Sequence, residues 1–163
     1  MLKKFFYLFL LVGVVWLACL CFMYGKAHAK DTSWGYEASI IRTINGSMLE
    51  ASDKDNCVHR IKLYGINAPT MEYKEGLAAQ KFLDNLAVHK VVTVYVYYKD
   101  KDNTEHGVVI PSNAEPLNQT MLLYGQAFYD EKNCDRWFCS RFRNFENEAK
   151  LLKYGMWKKG GNI

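Results

Sequence analysis

The sequence predicts a β-rich α+β domain: a small five-stranded barrel with about three helices, preceded by an N-terminal hydrophobic leader. Three observations predict it. Short β-prone runs recur between turn signals over residues 36–64, and again over 91–110. Apolar residues at helical spacing fall between the third and fourth of these runs, and again after the fifth. At 163 residues, half of them hydrophobic, the chain suits one domain with its own core.

The leader comes first. Phe5 to Tyr24 is apolar apart from Gly13, with Lys3 and Lys4 before it and Ala27-His28-Ala29 after it. A secretory signal has this basic start, apolar centre and small-x-small cleavage site. A membrane anchor needs about 20 apolar residues, which residues 5–24 also supply. The Ala27/Ala29 pair favours cleavage after Ala29, so residues 1–29 read as signal peptide or anchor and residues 30–163 as the domain. Either reading places the domain outside the cytoplasm: periplasmic, secreted, or anchored to the cytoplasmic membrane. With residues 1–29 set aside, 18 basic and 17 acidic residues remain. That balance disfavours a strongly basic, non-specific nucleic-acid binder.

Tyr36 to Ile44 reads as the first strand, Asn45-Gly46 as a two-residue hairpin turn, and Ser47 to Ala51 as the returning strand. A polar turn over 52–56 leads to a third strand, Cys57 to Tyr64. That strand delivers Lys62 and stops at Gly65, and Asn67-Ala68-Pro69 follows as a rigid turn, because proline removes a donor and restricts its predecessor. The spacing of Ala79, Phe82, Leu83 and Leu86 predicts a helix over 76–90. Val91 to Tyr98 is the fourth strand, Lys99 to Glu105 a charged turn, and Gly107 to Ile110 the fifth strand. Pro116 opens a short helix that Gly125 ends. Gln126 to Tyr129 is extended. Phe138, Phe142, Phe145, Ala149 and Leu152 then form one apolar stripe on a last helix, a pattern that usually faces a core. A five-stranded Greek-key barrel of the OB type has this helix placement.

Cys57, Cys134 and Cys139 lie beyond the leader. Outside the cytoplasm thiols tend to pair, so a Cys134–Cys139 disulfide is expected, with Cys57 buried and free. His59 and His89 read as surface residues, and Asp53, Asp55 and Asp102 as solvated loop charges.

The order of motifs resembles the staphylococcal-nuclease-like (thermonuclease) domain over about residues 36–158. K-L-Y-G-I-N-A-P-T (62–70) is similar to that family's Arg-Leu-x-Gly-Ile-Asp-Ala-Pro-Glu. I-N-G-S (44–47) stands at its strand–turn–strand, and E-H-G-V-V (105–109) at its Gly-Arg before the fifth strand. L-N-Q-T-M-L-L-Y-G-Q-A (117–127) and E-N-E-A-K-L-L-K-Y-G-M-W (146–157) are similar to its two closing helical motifs. The resemblance implies a calcium-dependent nuclease site: two aspartates on the metal, a glutamate acting on water, and two arginines on the phosphate. By motif position the metal residues are Ser47 and Asn67, the glutamate is Thr70, and the arginines are Lys62 and His106.

All five positions differ from the family pattern. Calcium prefers carboxylate oxygens, and Ser47 and Asn67 supply neutral ones. Threonine is no general base near neutral pH, and losing such a base costs roughly 10²–10⁴ in rate. Lysine keeps a charge without arginine's bidentate fork. Glu72, two residues past Thr70, is the one candidate to rebuild the site. The expectation is therefore a catalytically degenerate binding module for a nucleic acid or an envelope or secreted protein. Arg60, Lys62, Lys99 and Lys101 are its candidate ligand contacts. No cofactor is expected, with calcium entering only if the site were rebuilt. A weak metal-dependent phosphodiesterase and an envelope-anchored assembly protein are the alternatives. The leader would be the only membrane contact.

Overall fold

The computed structural model describes residues 33–158, so the leader expected over 1–29 lies outside the described residues. Five strands form a closed barrel: β1 (Trp34–Asn45), β2 (Met48–Asp53), β3 (Val58–Leu63), β5 (Val91–Lys99) and β6 (Glu105–Pro111). Their order around the barrel is β1-β2-β3-β6-β5, with β5 pairing back onto β1. Four contacts are antiparallel. The fifth, β3 with β6, is parallel and pairs Ile61 with Glu105, Lys62 with His106 and Leu63 with Gly107. Two two-residue strands, β4 (Ile66–Asn67) and β7 (Phe128–Tyr129), pair outside the barrel. Three helices complete the domain: α1 (Lys74–Ala87), α2 (Leu117–Leu123) and α3 (Cys139–Leu152).

Alternation in the strands builds the core. Val92, Val94 and Val96 of β5 point inward and are fully buried, while Val91 and Tyr95 face out. Ile40, Leu49, Ile61, Leu63 and Val109 fill the rest of the interior, and α1 caps it with Ala79, Leu83 and Ala87. On α3 the apolar stripe packs through Phe142 and Ala149, but Leu152, at its end, is 48% exposed. The last turn has left the core there, and Lys153 follows in a left-handed conformation.

Three local features depart from the sequence reading. Asn45 pairs with Met48, so the hairpin loop is Gly46-Ser47, one residue later than expected. Asn45 Oδ1 accepts the Ser47 backbone N–H at 2.8 Å and fixes this turn from within the strand. Gly46 is needed because of α1: a Cβ there would lie 2.6 Å from Ala79 Cβ. Lys99 and Glu105, expected in a turn, are paired strand residues instead. Cys57, expected to be buried, is free and exposed, because it lies in the turn before β3 rather than in the strand. The Cys134–Cys139 disulfide is present, with Cα atoms 5.7 Å apart.

His59 and Asp53 are also not the solvated groups expected. His59 Nε2 lies 3.0 Å from Asp53 Oδ2, and its Nδ1 lies 3.0 Å from Glu105 Oε1. Glu105 is 2% exposed; it also accepts a hydrogen bond from the Tyr36 hydroxyl and pairs with Lys99 at 2.9 Å. This network ties β1, β3, β5 and β6 together on one side of the barrel. Burial opposes the imidazolium, but the bonds to Asp53 and Glu105 outweigh it and raise the His59 pKa above its ordinary value. Burial likewise pushes Glu105 up, yet its bonds from Tyr36, Lys99 and His59 hold it below the usual carboxylate range.

Two predictions follow from these contacts. Asn118 is fully buried: its amide donates to the Tyr64 and Gly107 carbonyls at 2.9 and 3.1 Å and accepts the Val109 N–H at 3.2 Å. Asn118→Ala strands these groups and should destabilise the fold by about 3 kcal/mol, read as a lower urea midpoint at unchanged slope. The second concerns pH. A raised folded-state pKa means the His59 contribution is complete below its ordinary value of about 6.5 and is lost as pH rises through the raised value. Stability should therefore decline from about pH 6.5 upward, and His59→Gln should flatten that limb; an unchanged slope in the variant would assign the decline elsewhere.

Candidate nucleic-acid site at the barrel rim

The site forms where β3 runs out of the barrel. Gly65, at φ +73°, turns the chain from β3 into β4. A Cβ on Gly65 would meet Cys134 Sγ at 2.5 Å, so the disulfide loop sits directly against this turn. The β4–β7 pairing, with Asn67 opposite Phe128, then brings Asp130 beside Asn67. The parallel pairing sets Lys62 beside His106. A cavity of about 230 Å³ opens among these residues, lined by Lys62, Asn67, Tyr98, His106, Asp130 and Asn133.

At its centre is the Lys62 ammonium. It donates to Ser47 Oγ at 2.9 Å and to Asn67 Oδ1 at 2.7 Å. Asn67 Nδ2 in turn donates to Asp130 Oδ2 at 2.7 Å, and Asn133 Nδ2 donates to the same oxygen at 2.9 Å. Burial pulls the Lys62 pKa below its ordinary value, and the nearby Asp130 charge only partly offsets this. Burial works the other way on Asp130, but the bonds from Asn133 and Asn67 and the Lys62 charge hold it low. The centre is thus a lysine–carboxylate pair bridged by an asparagine.

His106 stacks on Tyr98, with ring centroids 4.3 Å apart, and its Nε2 lies 3.2 Å from Asp100 Oδ2. The His106 bond and the Thr104 backbone N–H hold Asp100 below the usual carboxylate range. Tyr64 closes the far wall. Its hydroxyl donates to Asp135 Oδ1 and accepts the Asp135 N–H, and burial together with that carboxylate pushes its pKa up to about 12.

The structure brings together Lys62, Ser47, Asn67 and His106 of the motif-equivalent positions. Thr70 is not among them. It is exposed and lines a separate, mostly apolar cavity of about 280 Å³ with Ala68, Pro69, Tyr73, Phe128 and Met156. Glu72 is exposed and lines neither cavity. Of the other cationic candidates, Arg60 shares Lys62's strand face but lies 3.8 Å from Glu50, and Lys99 is committed to Glu105. Lys101 is exposed in the β5–β6 turn. Asp130, Asn133 and Asp135 belong to the site without any local motif to announce them; only the β4–β7 pairing and the disulfide loop place them there.

The donor set does not suit calcium. The two side chains at the metal positions are neutral, and both already accept hydrogen bonds from an ammonium. Among the described residues, no group of three or more His, Cys, Asp or Glu side chains is placed to hold a metal ion.

Comparison with known proteins agrees with the barrel and its motifs. An uncharacterized endonuclease of Escherichia coli O157:H7 is 29% identical over 119 residues, covering 72% of this chain and 74% of that protein. A protein of the same description from Escherichia coli matches to the same extent. A probable staphylococcal-like nuclease, CAN3, of Oryza sativa subsp. japonica is 29% identical over 102 residues, 63% of this chain and 26% of its own length. A family model described as staphylococcal nuclease homologue matches residues 60–159, from β3 onward. Ser47 precedes that span, so its membership of the site rests on its bond to Lys62. With most of its length matched in this way, the chain belongs to the staphylococcal nuclease homologue family.

Proposed function

We propose that this domain is an exported nuclease-fold module that binds nucleic-acid phosphates without hydrolysing them. The observation that carries the reading is the Lys62 ammonium, bonded to both Ser47 and Asn67. A fixed cation stands between the two positions where the family resemblance implies a metal. An ammonium attracts a phosphate, but it carries no water to activate. Thr70 supplies no base, and His106 is engaged by Tyr98 and Asp100. What remains is a polar cavity with a half-buried positive group and a stacked aromatic wall, suited to holding an anion at a barrel rim.

Export is supported by the basic-apolar-small pattern of residues 1–29 and by the Cys134–Cys139 disulfide, which persists in oxidising compartments. The competing reading is a metal-dependent nuclease, favoured by the endonuclease description of the Escherichia coli relatives.

A cleavage assay separates the two. The purified protein is incubated with single-stranded DNA and RNA in calcium, in other divalent ions and in chelator, beside a Lys62→Ala, Glu72→Ala double variant. Cleavage no greater than that of the variant is expected throughout, and metal-dependent cleavage lost in the variant would establish the nuclease instead. A second expectation concerns the metal positions. Ser47→Asp with Asn67→Asp and Lys62→Arg should create calcium binding by calorimetry, at about 10⁻⁴–10⁻³ M, where the unaltered protein shows none.

A further inference from the structure

The apolar cavity beside Thr70 takes no part in the Lys62 site. Its walls come from three places in the chain: the loop and first turn leading into α1, β7 at Phe128, and Met156. Close backbone packing holds them. Tyr73 N–H donates to the Thr70 carbonyl at 3.1 Å, and a Cβ on Gly76 would lie 2.0 Å from that same oxygen. Met156 N–H donates to the Gly125 carbonyl at 2.9 Å. The space of about 280 Å³ is therefore fixed by the fold itself.

One charged side chain lines it. Glu75 stands in the first turn of α1, with its side chain 11% exposed. Among the described residues its carboxylate accepts no hydrogen bond, and its one ion pair is with Lys74 at 3.7 Å. That lysine is 70% exposed, and such a pair contributes little. The α1 dipole accounts for an acidic residue in this turn, but not for its facing an apolar cavity without a donor. A carboxylate so placed has lost most of its water and gained no hydrogen bond in exchange. Water inside the cavity would find few other polar partners.

We propose that this cavity binds a small organic amine, its ammonium on Glu75 and its apolar body against Phe128 and Met156. An ammonium supplies the charge-assisted hydrogen bonds that the carboxylate lacks. The rings of Tyr73 and Phe128 add the attraction of an aromatic face for a cation. Among the described residues no lysine, arginine or histidine lines the cavity to compete for Glu75. A neutral head leaves the carboxylate without a charged partner, and an anionic head is repelled. The volume stands at the small end of ligand pockets, which suits one ring on a short chain. The inference is independent of the phosphate reading, because no residue lines both this cavity and that of Lys62.

The test is calorimetry on the full chain with three probes of one body and different heads: phenethylammonium, 2-phenylethanol and 3-phenylpropionate. Phenethylammonium should bind with a Kd on the order of 10⁻³ M, the range a ligand of this size reaches. The alcohol should bind roughly tenfold more weakly and the carboxylate not measurably. Glu75→Gln keeps the side chain's shape and should cost the ammonium about tenfold while leaving the alcohol unchanged. The variant's circular dichroism melt checks its fold independently. Methyl-labelled methionine gives the location: the Met156 signal, assigned through Met156→Leu, should move with the ammonium. Lys62→Ala should bind the probe as the unaltered protein does. Equal affinity for the three heads, an unchanged ammonium affinity in Glu75→Gln, or binding without a Met156 shift would each overturn the assignment. So would no binding of phenethylammonium, and none of these outcomes bears on the phosphate reading.

Discussion

Closure of the barrel depends on three parallel residue pairs, Ile61–Leu63 against Glu105–Gly107. The other four strand contacts are antiparallel and join strands adjacent in sequence or otherwise well paired; this short parallel stretch is where the sheet becomes a cylinder. It is reinforced where it ends. Tyr64 N–H donates to the Gly107 carbonyl, and the buried Asn118 amide bonds to both the Tyr64 and Gly107 carbonyls. A buried amide with its donors and acceptors satisfied fixes one arrangement of strands, since a slipped register would leave those groups unpaired. The same three pairs bring Lys62 beside His106, so the closure of the fold and the assembly of the site are one event.

The polar centre shows how a near-neutral domain builds local electrostatics. Lys62 is held in a confined space where its charge costs desolvation, and Asp130 offsets part of that cost from across Asn67. The pair makes no direct contact that any bond here requires; the asparagine carries the connection, accepting from the ammonium and donating to the carboxylate. On the opposite network, His59 stands between Asp53 and Glu105 in the same bridging role. In both places a group able to bond on two sides separates charges, and the domain's ionisable side chains are spent on fixing its own strands and turns as much as on facing solvent.

Much of this was legible in the sequence. The alternation of Val92, Val94 and Val96, the helical spacing of Ala79 and Leu83, and the family motifs over 62–70 and 117–127 all report local periodicity or local turn chemistry, which sequence carries directly. What was not legible depended on partners distant in the chain. Glu105 looks like a turn charge until β6 places it against Tyr36, His59 and Lys99. His59 has the same strand parity as the buried Ile61 and Leu63, but a polar ring near the strand's start reads as a surface group, and only the turn at Asp53 and the strand at Glu105 supply its partners. β4 and β7 are two residues each, too short to leave a pattern, yet their pairing recruits Asp130. Ser47 could be matched by motif, but its contact with Lys62 is a property of the hairpin lying across β3, as the Met48–Lys62 pairing shows.

The parallel closure also sets the order in which the chain can fold. The β1–β2 and β2–β3 hairpins join neighbours and need only short loops. The β5–β6 hairpin is equally local. Joining β3 to β6 must wait for α1 and that second hairpin, and its reinforcement waits further for α2 to deliver Asn118. Loop-closure entropy therefore falls on the two non-local pairings, β1 with β5 and β3 with β6, the kind of contact that slows folding most. A chain emerging from its N-terminus has all three strands of the meander early, but the residues that close and brace the barrel only after residue 118 has appeared.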